Sequence, residues 1–131
     1  MTLHVPPEAE VECWVVGLDG RRLGSSAGGE LEVPDGTVLE VRGRRRRRVR
    51  LAWLADAGAR VISVDVRRSE VGEEDLLAVA TLPDVAVLTA AGDGVTPRAV
   101  RAIAAVPRLA VLQLGAPALG PDDLEPLRRA T

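Results

Sequence analysis

The stretch RGRRRRRVR, residues 42–50, places seven arginines in nine positions. Guanidinium groups bind phosphate and carboxylate oxygens through a fixed fork of N–H donors, so such a run can contact a nucleic acid, an acidic protein surface, or solvent alone. The whole chain is not basic, because its 17 basic residues, all arginine, stand against 19 acidic residues and the formal net charge is -2. We therefore expect any anion binding to depend on a local patch.

Other residue types that could support catalysis are few and scattered. The only histidine, His4, lies in an N-terminus that we expect to be frayed. The only cysteine, Cys13, alternates with Val11 and Val15, which predicts a buried strand thiol and allows neither a disulfide nor a zinc cluster. The acidic run at 73–75 could hold a cation, although the first turn of a helix also favours acids. We expect no catalytic residue, no metal ligand and no cofactor, and therefore a non-enzymatic protein.

The elements that would position these residues repeat with a spacing of 24 in the segments 61–84, 85–108 and 109–131. Each segment starts with alternating apolar residues, crosses a loop with Gly or Pro, and continues with apolar residues three apart. This pattern predicts a strand, a loop and a short helix. The aligned apolar positions are Val61, Val64, Val66, Val71, Leu76, Val79, Leu82, Val85, Leu88, Ala90, Val95, Val100, Ile103, Val106, Leu109, Leu112, Leu114, Leu119, Leu124, Leu127 and Ala130.

The predicted helices have matching ends. Thr96 can cap a helix with Pro97 at its first position, and the acidic run at 73–75 would occupy the first turn of the preceding helix. Pro83 and Pro107 would end these two helices at equivalent places.

The pattern resembles the leucine-rich repeat, L-x-x-L-x-L-x-x-N/C-x-L, in its 24-residue bacterial form, and GVTPRAVRAIAAVPRLAVLQL is the most similar stretch. The resemblance covers 61–131 and implies an α/β solenoid with a parallel sheet and short helices. The family's loop Asn or Thr is replaced by Ser69, Asp93 and Pro117. Ser and Asp could still bond a neighbouring loop, whereas Pro117 cannot make a side-chain bond.

A doubly wound α/β sheet is the alternative, because VAVLTAAGDGV has the form of a strand followed by a phosphate-binding turn. The third glycine of the G-x-G-x-x-G motif is missing, and a constant 24-residue period is not typical of such folds.

Residues 37–60 fit a degenerate earlier repeat, with Leu39 and Val41 at strand positions and Leu51 and Leu54 at helix positions. Trp53 beside them is expected to close the stack rather than to bind a ligand.

Residues 1–36 are interpreted as a β-hairpin cap on the solenoid. VECWVVGLDGRRL and LEVPDGTVLEV each surround an Asp-Gly turn with alternating apolar residues, a hairpin signal, and SSAGG at 25–29 would be a flexible tip between them. Trp14 is expected to pack against the stack or to close the cap itself.

This arrangement predicts that the arginine run forms one edge with the equivalent loop of the next repeat. The residues of this edge are Arg42, Arg44, Arg45, Arg46, Arg47, Arg48, Arg50, Arg67 and Arg68. Three interpretations stay open: a solvated loop neutralised in part by nearby carboxylates, an acidic-protein site, or a nucleic-acid site. The last is disfavoured because no aromatic residue interleaves the arginines.

The function we expect is that of a protein-interaction module or assembly subunit. The partner-binding residues would lie on the outward sheet face, at Ser63, Asp65, Val87, Thr89, Val111 and Gln113. Strand 109–114, LAVLQL, is apolar and uncharged, and it predicts self-association or a protein partner at an open sheet edge. Nucleic-acid or phosphate binding through 42–50 is the alternative.

The start, MTLHVPPEAE, lacks a basic segment followed by an apolar stretch, and no window approaches the roughly 18 consecutive apolar residues of a membrane span. We expect a soluble, cytoplasmic protein without a membrane partner.

Overall fold

The computed structural model describes residues 1–115 and shows an α/β protein with a mostly parallel six-stranded sheet and few short helices. Residues 116–131, which include Leu119, Leu124, Leu127, Ala130 and Pro117, lie outside the described part. The strands are β1 Thr2–Val5, β2 Val11–Val16, β3 Arg22–Ser26, β4 Gly29–Glu32, β5 Val38–Gly43, β6 Val61–Val66, β7 Val87–Ala91 and β8 Val111–Gly115. The helices are α1 Glu73–Val79 and α2 Pro97–Ala104, with 3₁₀ turns at Pro7–Ala9 and Ala52–Asp56.

The large sheet has the strand order β3-β2-β5-β6-β7-β8. Strand β2 runs antiparallel to both β3 and β5, whereas β5, β6, β7 and β8 are parallel. Parallel neighbours need a crossover between them. Here each crossover contains a short helix, except that the first contains only the turn Ala52–Asp56.

The strand register follows the 24-residue spacing of the sequence. Val64 lies opposite Leu88, and Leu88 lies opposite Leu112, so each step advances 24 residues. The step from Val41 to Val64 is 23 residues, with an irregularity after Leu39. The degenerate segment therefore joins the same ladder with one residue fewer.

The core lies between the sheet and the helices. All fourteen aligned apolar positions of the segments 61–84 and 85–108 are buried, and the third segment adds Leu109, Leu112 and Leu114 as partly buried residues packed against the core. Leu39, Val41, Leu51 and Leu54 are buried as predicted.

The described helices form a single layer. Helix α1 contacts α2 on one side and the turn Ala52–Asp56 on the other, in chain order. The glycine loop after β7 packs against the neighbouring loops: Gly92 N donates to Gly115 O, and a Cβ on Gly94 would lie 2.1 Å from Val71 O. These features differ from the doubly wound alternative, whose helices cover both faces of the sheet.

The predicted helix starts are present. Thr96 Oγ1 accepts a hydrogen bond from Ala99 N at 3.2 Å, with Pro97 as the first residue of α2. The first turn of α1 contains the acids Glu73–Asp75, and the buried Asp75 accepts a hydrogen bond from Leu51 N at 2.9 Å. Asp75 thus joins the segment that contains α1 to the segment before it. Among the described residues, no group of three acidic, His or Cys side chains could hold a metal ion.

The N-terminal part agrees with the predictions only in part. The first hairpin is present, since β2 pairs with β3 through a turn at Asp19 and Gly20. The second is wrong: β4 pairs with β1, while β5 pairs with β2 and β6, so the turn at Asp35 and Gly36 connects two different sheets. Strand β1 alternates polar and apolar residues, but nothing in the local sequence indicates that it pairs with β4.

Two further expectations for this part are corrected. The stretch 25–29 is not a free tip, because Ser25 and Ser26 pair with Trp14 and Cys13. His4 is not in a frayed terminus, because it lies in β1 opposite Glu30.

Candidate functional site

The arginine loop stacks on the loop that follows β6 through backbone hydrogen bonds. Arg46 N donates to Arg68 O at 2.8 Å, Glu70 N donates to Arg47 O at 2.9 Å, and Val49 N donates to Glu70 O at 2.9 Å. The two loops therefore run side by side, and arginines distant in sequence become neighbours.

Side-chain contacts also hold the two loops together. Ser69 Oγ donates to Arg44 O at 2.9 Å, a bond to the neighbouring loop of the kind expected for this residue. A Cβ on Gly43 would lie 2.2 Å from that Oγ, so only glycine fits there. Val49 is buried in the core and anchors the far end of the arginine run. Asp93, the equivalent of Ser69 one unit later, is exposed.

A cavity of about 310 Å³ opens at the carboxyl ends of β5 and β6, and we call it the arginine pocket. Five guanidinium groups and two carboxylates line it, a formal excess of three positive charges. The lining residues are Glu12, Arg42, Gly43, Arg44, Arg45, Asp65, Arg67 and Arg68.

The ion pairs around the pocket are few and exposed to solvent. Arg44 lies 3.3 Å from a carboxylate oxygen of Glu10, and Arg67 lies 3.8 Å from one of Asp65. Within residues 1–115, no carboxylate lies within 4.0 Å of the guanidinium of Arg45 or Arg68. The same holds for Arg42, so three of the five arginines that line the pocket have no ion pair within the described residues.

The run does not form one edge as predicted, because the loop distributes its arginines between two sides. Arg44 and Arg45 line the arginine pocket, whereas Arg48 and Arg50 line a separate open groove of about 720 Å³ near the start of α1. Arg46 adopts φ 62, a left-handed turn that reverses the direction of the loop between the two sides. The spacing of the arginines could not reveal this turn, because it depends on the neighbouring loop.

The second groove contains carboxylates of the kind that the sequence analysis expected to neutralise part of the arginine run. Glu8, Glu73 and Glu74 line it opposite Arg48 and Arg50. Trp53 borders it, packs partly buried against the core, and donates Nε1–H to Arg50 O at 2.8 Å. Trp53 was expected to close the stack, and the structure places it against the core, where its polar edge ties the loop to the 3₁₀ turn.

Trp14 is the residue that sequence reasoning placed wrongly. It lies on the outward face of β2, with the guanidinium carbon of Arg22 at 4.5 Å and that of Arg42 at 5.6 Å from its ring centroid. Both distances are within the range of a cation–π contact. An aromatic residue therefore does stand beside the arginines, contrary to the expectation from the linear sequence.

A second cavity, of about 210 Å³, adjoins the arginine pocket on the sheet and is lined by Trp14 among other residues. The two cavities share Arg42 and Asp65. Glu40 borders the second cavity and lies 3.9 Å from Arg22. The alternation of Glu12 and Trp14 with buried Val11, Cys13 and Val15 was the available signal that these two residues face outward.

The predicted partner-binding residues form two rows across the parallel strands. Ser63, Val87 and Val111 are register partners in the first row, and Asp65, Thr89 and Gln113 are partners in the second. Thr89 is only 9% exposed, because it sits in the middle of the sheet, whereas Val111 is 48% exposed. The rows extend the second cavity towards β8.

Cys13 lies outside this surface. Its side chain is buried in the core, as predicted, and burial together with the neighbouring Glu12 carboxylate raises the pKa of the thiol from 9.0 to about 12. A thiol in this state is a poor nucleophile at neutral pH.

Comparisons with protein-family models, with curated proteins and with solved structures give no match to this chain. None of the helices within residues 1–115 has the length and apolar character needed to cross a membrane. The chemistry of the arginine pocket and of the outward sheet face is therefore the basis on which a function can be assigned.

Proposed function

We propose that the chain is a leucine-rich-repeat-like solenoid, with an N-terminal cap at 1–36 and repeats at 37–131, that acts as a non-enzymatic, cytoplasmic protein-interaction module. Its partner would be a protein with an acidic segment, held by the arginine pocket and by the adjoining sheet face. The observation that carries the proposal is that the two cavities share Arg42 and Asp65 in their linings. Together they form one polar groove rather than a closed site for a small substrate.

The charge pattern of the groove supports a protein partner. The outward face interleaves Glu12, Glu40 and Asp65 with arginines, so its potential changes sign over short distances. A nucleic-acid backbone presents only negative charge and would meet repulsion at each of these carboxylates, whereas a folded protein surface can complement both signs.

Nucleic-acid binding is the second candidate, and Trp14 is the observation that favours it. Single-stranded binders combine arginines with an aromatic platform on which bases stack. In this chain the guanidinium carbons of Arg22 and Arg42 already lie 4.5 and 5.6 Å from the centroid of the Trp14 ring. A base that stacks on the ring would have to displace one of these two groups. This competition makes the protein partner the better-supported choice.

The outer edge of β8 is proposed as an additional contact, to a second copy of the chain or to a partner strand. In the described part of the chain β8 pairs only with β7, and an edge strand exposes backbone donors and acceptors that can pair with another strand. Its segment 109–114 is apolar, and Val111 is exposed.

The arginine pocket can be tested with two defined probes, a fluorescent Glu-rich peptide and a single-stranded oligonucleotide of equal charge. The variant Arg45→Ser/Arg68→Ser should weaken binding of the peptide by about tenfold or more, because each charge-assisted hydrogen bond lost contributes to affinity. The matched control is Arg60→Ser/Arg108→Ser, which removes the same charge from the Asp84 pairs at the opposite strand ends.

The measurement is fluorescence anisotropy over a range of roughly 50 to 300 mM salt. The proposal requires that the peptide binds, that the pocket variant loses affinity and that the control does not. Tighter binding of the oligonucleotide, with a steeper loss on adding salt, would favour the second candidate. Equal losses in both variants would mean that only net charge matters and that the pocket is not a site.

A further inference from the structure

The arginine pocket has more positive charge than one carboxylate can neutralise. The lining has a formal excess of three charges, which falls to two when Glu10, the partner of Arg44, is counted, so a side-chain carboxylate would leave one charge and a dianion would leave none. We propose that the pocket binds a phosphate monoester carried by a side chain of the partner protein. This inference rests on the proposed function and specifies the chemical group that the pocket takes.

Two of the three pocket arginines that have no ion pair within residues 1–115 favour such a ligand. Arg45 and Arg68 line the same cavity, come from the two stacked loops, and have no carboxylate within 4.0 Å in the described part of the chain. A phosphate has three oxygens that can accept from both forks at once, whereas a carboxylate has two. The ligand would therefore bridge the two loops.

Arg42 adds a third donor set at the floor of the pocket. Its guanidinium carbon lies 5.6 Å from the centroid of the Trp14 ring. A cation–π contact uses the face of the guanidinium plane, so the N–H groups at its edge stay available for an anion. Trp14 acts here as a positioning residue: it orients Arg42 and does not itself contact the phosphate.

The pocket is held in its binding form by the backbone. Arg46 N donates to Arg68 O and Ser69 Oγ donates to Arg44 O, so the loops cannot separate without losing both bonds. A preorganised site loses less conformational entropy on binding. The cavity of about 310 Å³ is some ten times the roughly 30 Å³ of one water molecule, enough for a phosphoryl group and part of its carrier.

Two carboxylates at the wall limit the ligand to one phosphate group. Glu12 and Asp65 line the same pocket and would repel a second phosphate placed next to the first. A single phosphorylated side chain within a protein segment avoids this repulsion, whereas the continuous backbone of a nucleic acid does not.

The experiment uses Gly-phosphoserine-Gly and Gly-Glu-Gly as probes of the 131-residue chain, with binding followed by NMR shifts of the Arg45 and Arg68 amides. A Trp53→Phe variant leaves Trp14 as the single indole, and its fluorescence reports on Arg42. The phosphopeptide should bind about tenfold more tightly than the Glu peptide. Because the second phosphate pKa is about 6, its advantage should shrink as the pH falls from about 7 to about 5.

The variant Arg68→Ser should remove the preference for phosphate, and Arg108→Ser should retain it. The variant Trp14→Phe should weaken phosphopeptide binding less than Trp14→Ala, since a phenyl ring keeps part of the cation–π contact.

Equal affinity for the two tripeptides, or no pH dependence of their ratio, would overturn the phosphate inference and leave the acidic-partner proposal intact. The inference also fails if neither tripeptide shifts the pocket amides while the longer Glu-rich peptide binds there. Binding of the oligonucleotide alone would overturn both.

Discussion

At the scale of single residues, folding changes the ionisation of the Cys13 thiol. The chain contains no Lys and no Tyr, the residue types whose side chains ordinarily ionise near pH 10, so the single thiol can be followed in alkali without interference from them. Burial raises the pKa of Cys13 to about 12 and keeps the thiol neutral in the folded protein. In the unfolded chain the same thiol ionises near its ordinary pKa of 9.0.

This difference predicts a loss of stability in alkali. The contribution of Cys13 is complete below pH 9.0 and is lost as the pH rises from 9.0 to about 12, because only the unfolded state releases the proton in this interval. Urea unfolding at a series of pH values should show the free energy of unfolding falling over this window. A Cys13→Ala variant should show a flat profile there, and a slope equal to that of the parent would contradict the assignment.

At the scale of elements, the loops that follow neighbouring strands must approach closely for the successive strand–loop–helix segments to lie side by side. Two glycines lie where neighbouring loops approach most closely: a Cβ on Gly43 would lie 2.2 Å from Ser69 Oγ, and one on Gly94 would lie 2.1 Å from Val71 O. The second contact is to backbone, which cannot rotate away. Stacking thus depends on the absence of a side chain at these positions.

We expect Gly43→Ala and Gly94→Ala each to lower the free energy of unfolding by about 1 to 3 kcal/mol, the usual cost of forcing extra atoms into a packed site. Gly24→Ala is the matched control, because its Cβ would lie 3.9 Å from a Leu31 methyl group, an ordinary contact. Its effect should stay within about 0.5 kcal/mol. Thermal and urea unfolding measure all three, and similar values would show that the loops are not tightly stacked.

At the scale of the whole molecule, the six-stranded sheet has β3 at one end and β8 at the other, within residues 1–115. The two ends differ in character. Strand β3 has the charged Arg22 and two serines beside the exposed Leu23, while segment 109–114 contains no charged residue. An apolar, uncharged edge favours pairing with another strand, whereas charged and polar edges oppose it.

We therefore expect a two-fold dimer at micromolar concentration, formed by antiparallel pairing of β8 with β8 of a second copy. Val111→Arg places a charge on this edge and should give a monomer in light scattering and sedimentation. Leu18→Arg is the control, since Leu18 is 91% exposed at the β2–β3 turn, and it should remain dimeric. A monomeric parent protein, with free hydrogen exchange at the amides of 109–114, would show that the edge is tolerated.

The sequence alone predicted the features that depend on neighbours in the chain. The 24-residue spacing of apolar residues predicted which side chains are buried, because helix and strand periodicity are local properties. The Thr96 cap, the acidic first turn of α1, the first hairpin and the burial of Cys13 follow from the same kind of pattern.

Only the tertiary structure decided the contacts that do not follow from the 24-residue spacing. It paired β1 with β4 rather than β4 with β5, divided the arginine run between two sides through the left-handed Arg46, and brought Trp14 next to Arg42 across the β2–β5 pair. Strand partners and loop contacts far apart in sequence are chosen by the packing of the whole core, and this choice has no local signature. The arginine run was visible in the sequence, but the pocket that its members form with Arg67 and Arg68 exists because two loops 23 residues apart share one ladder of hydrogen bonds.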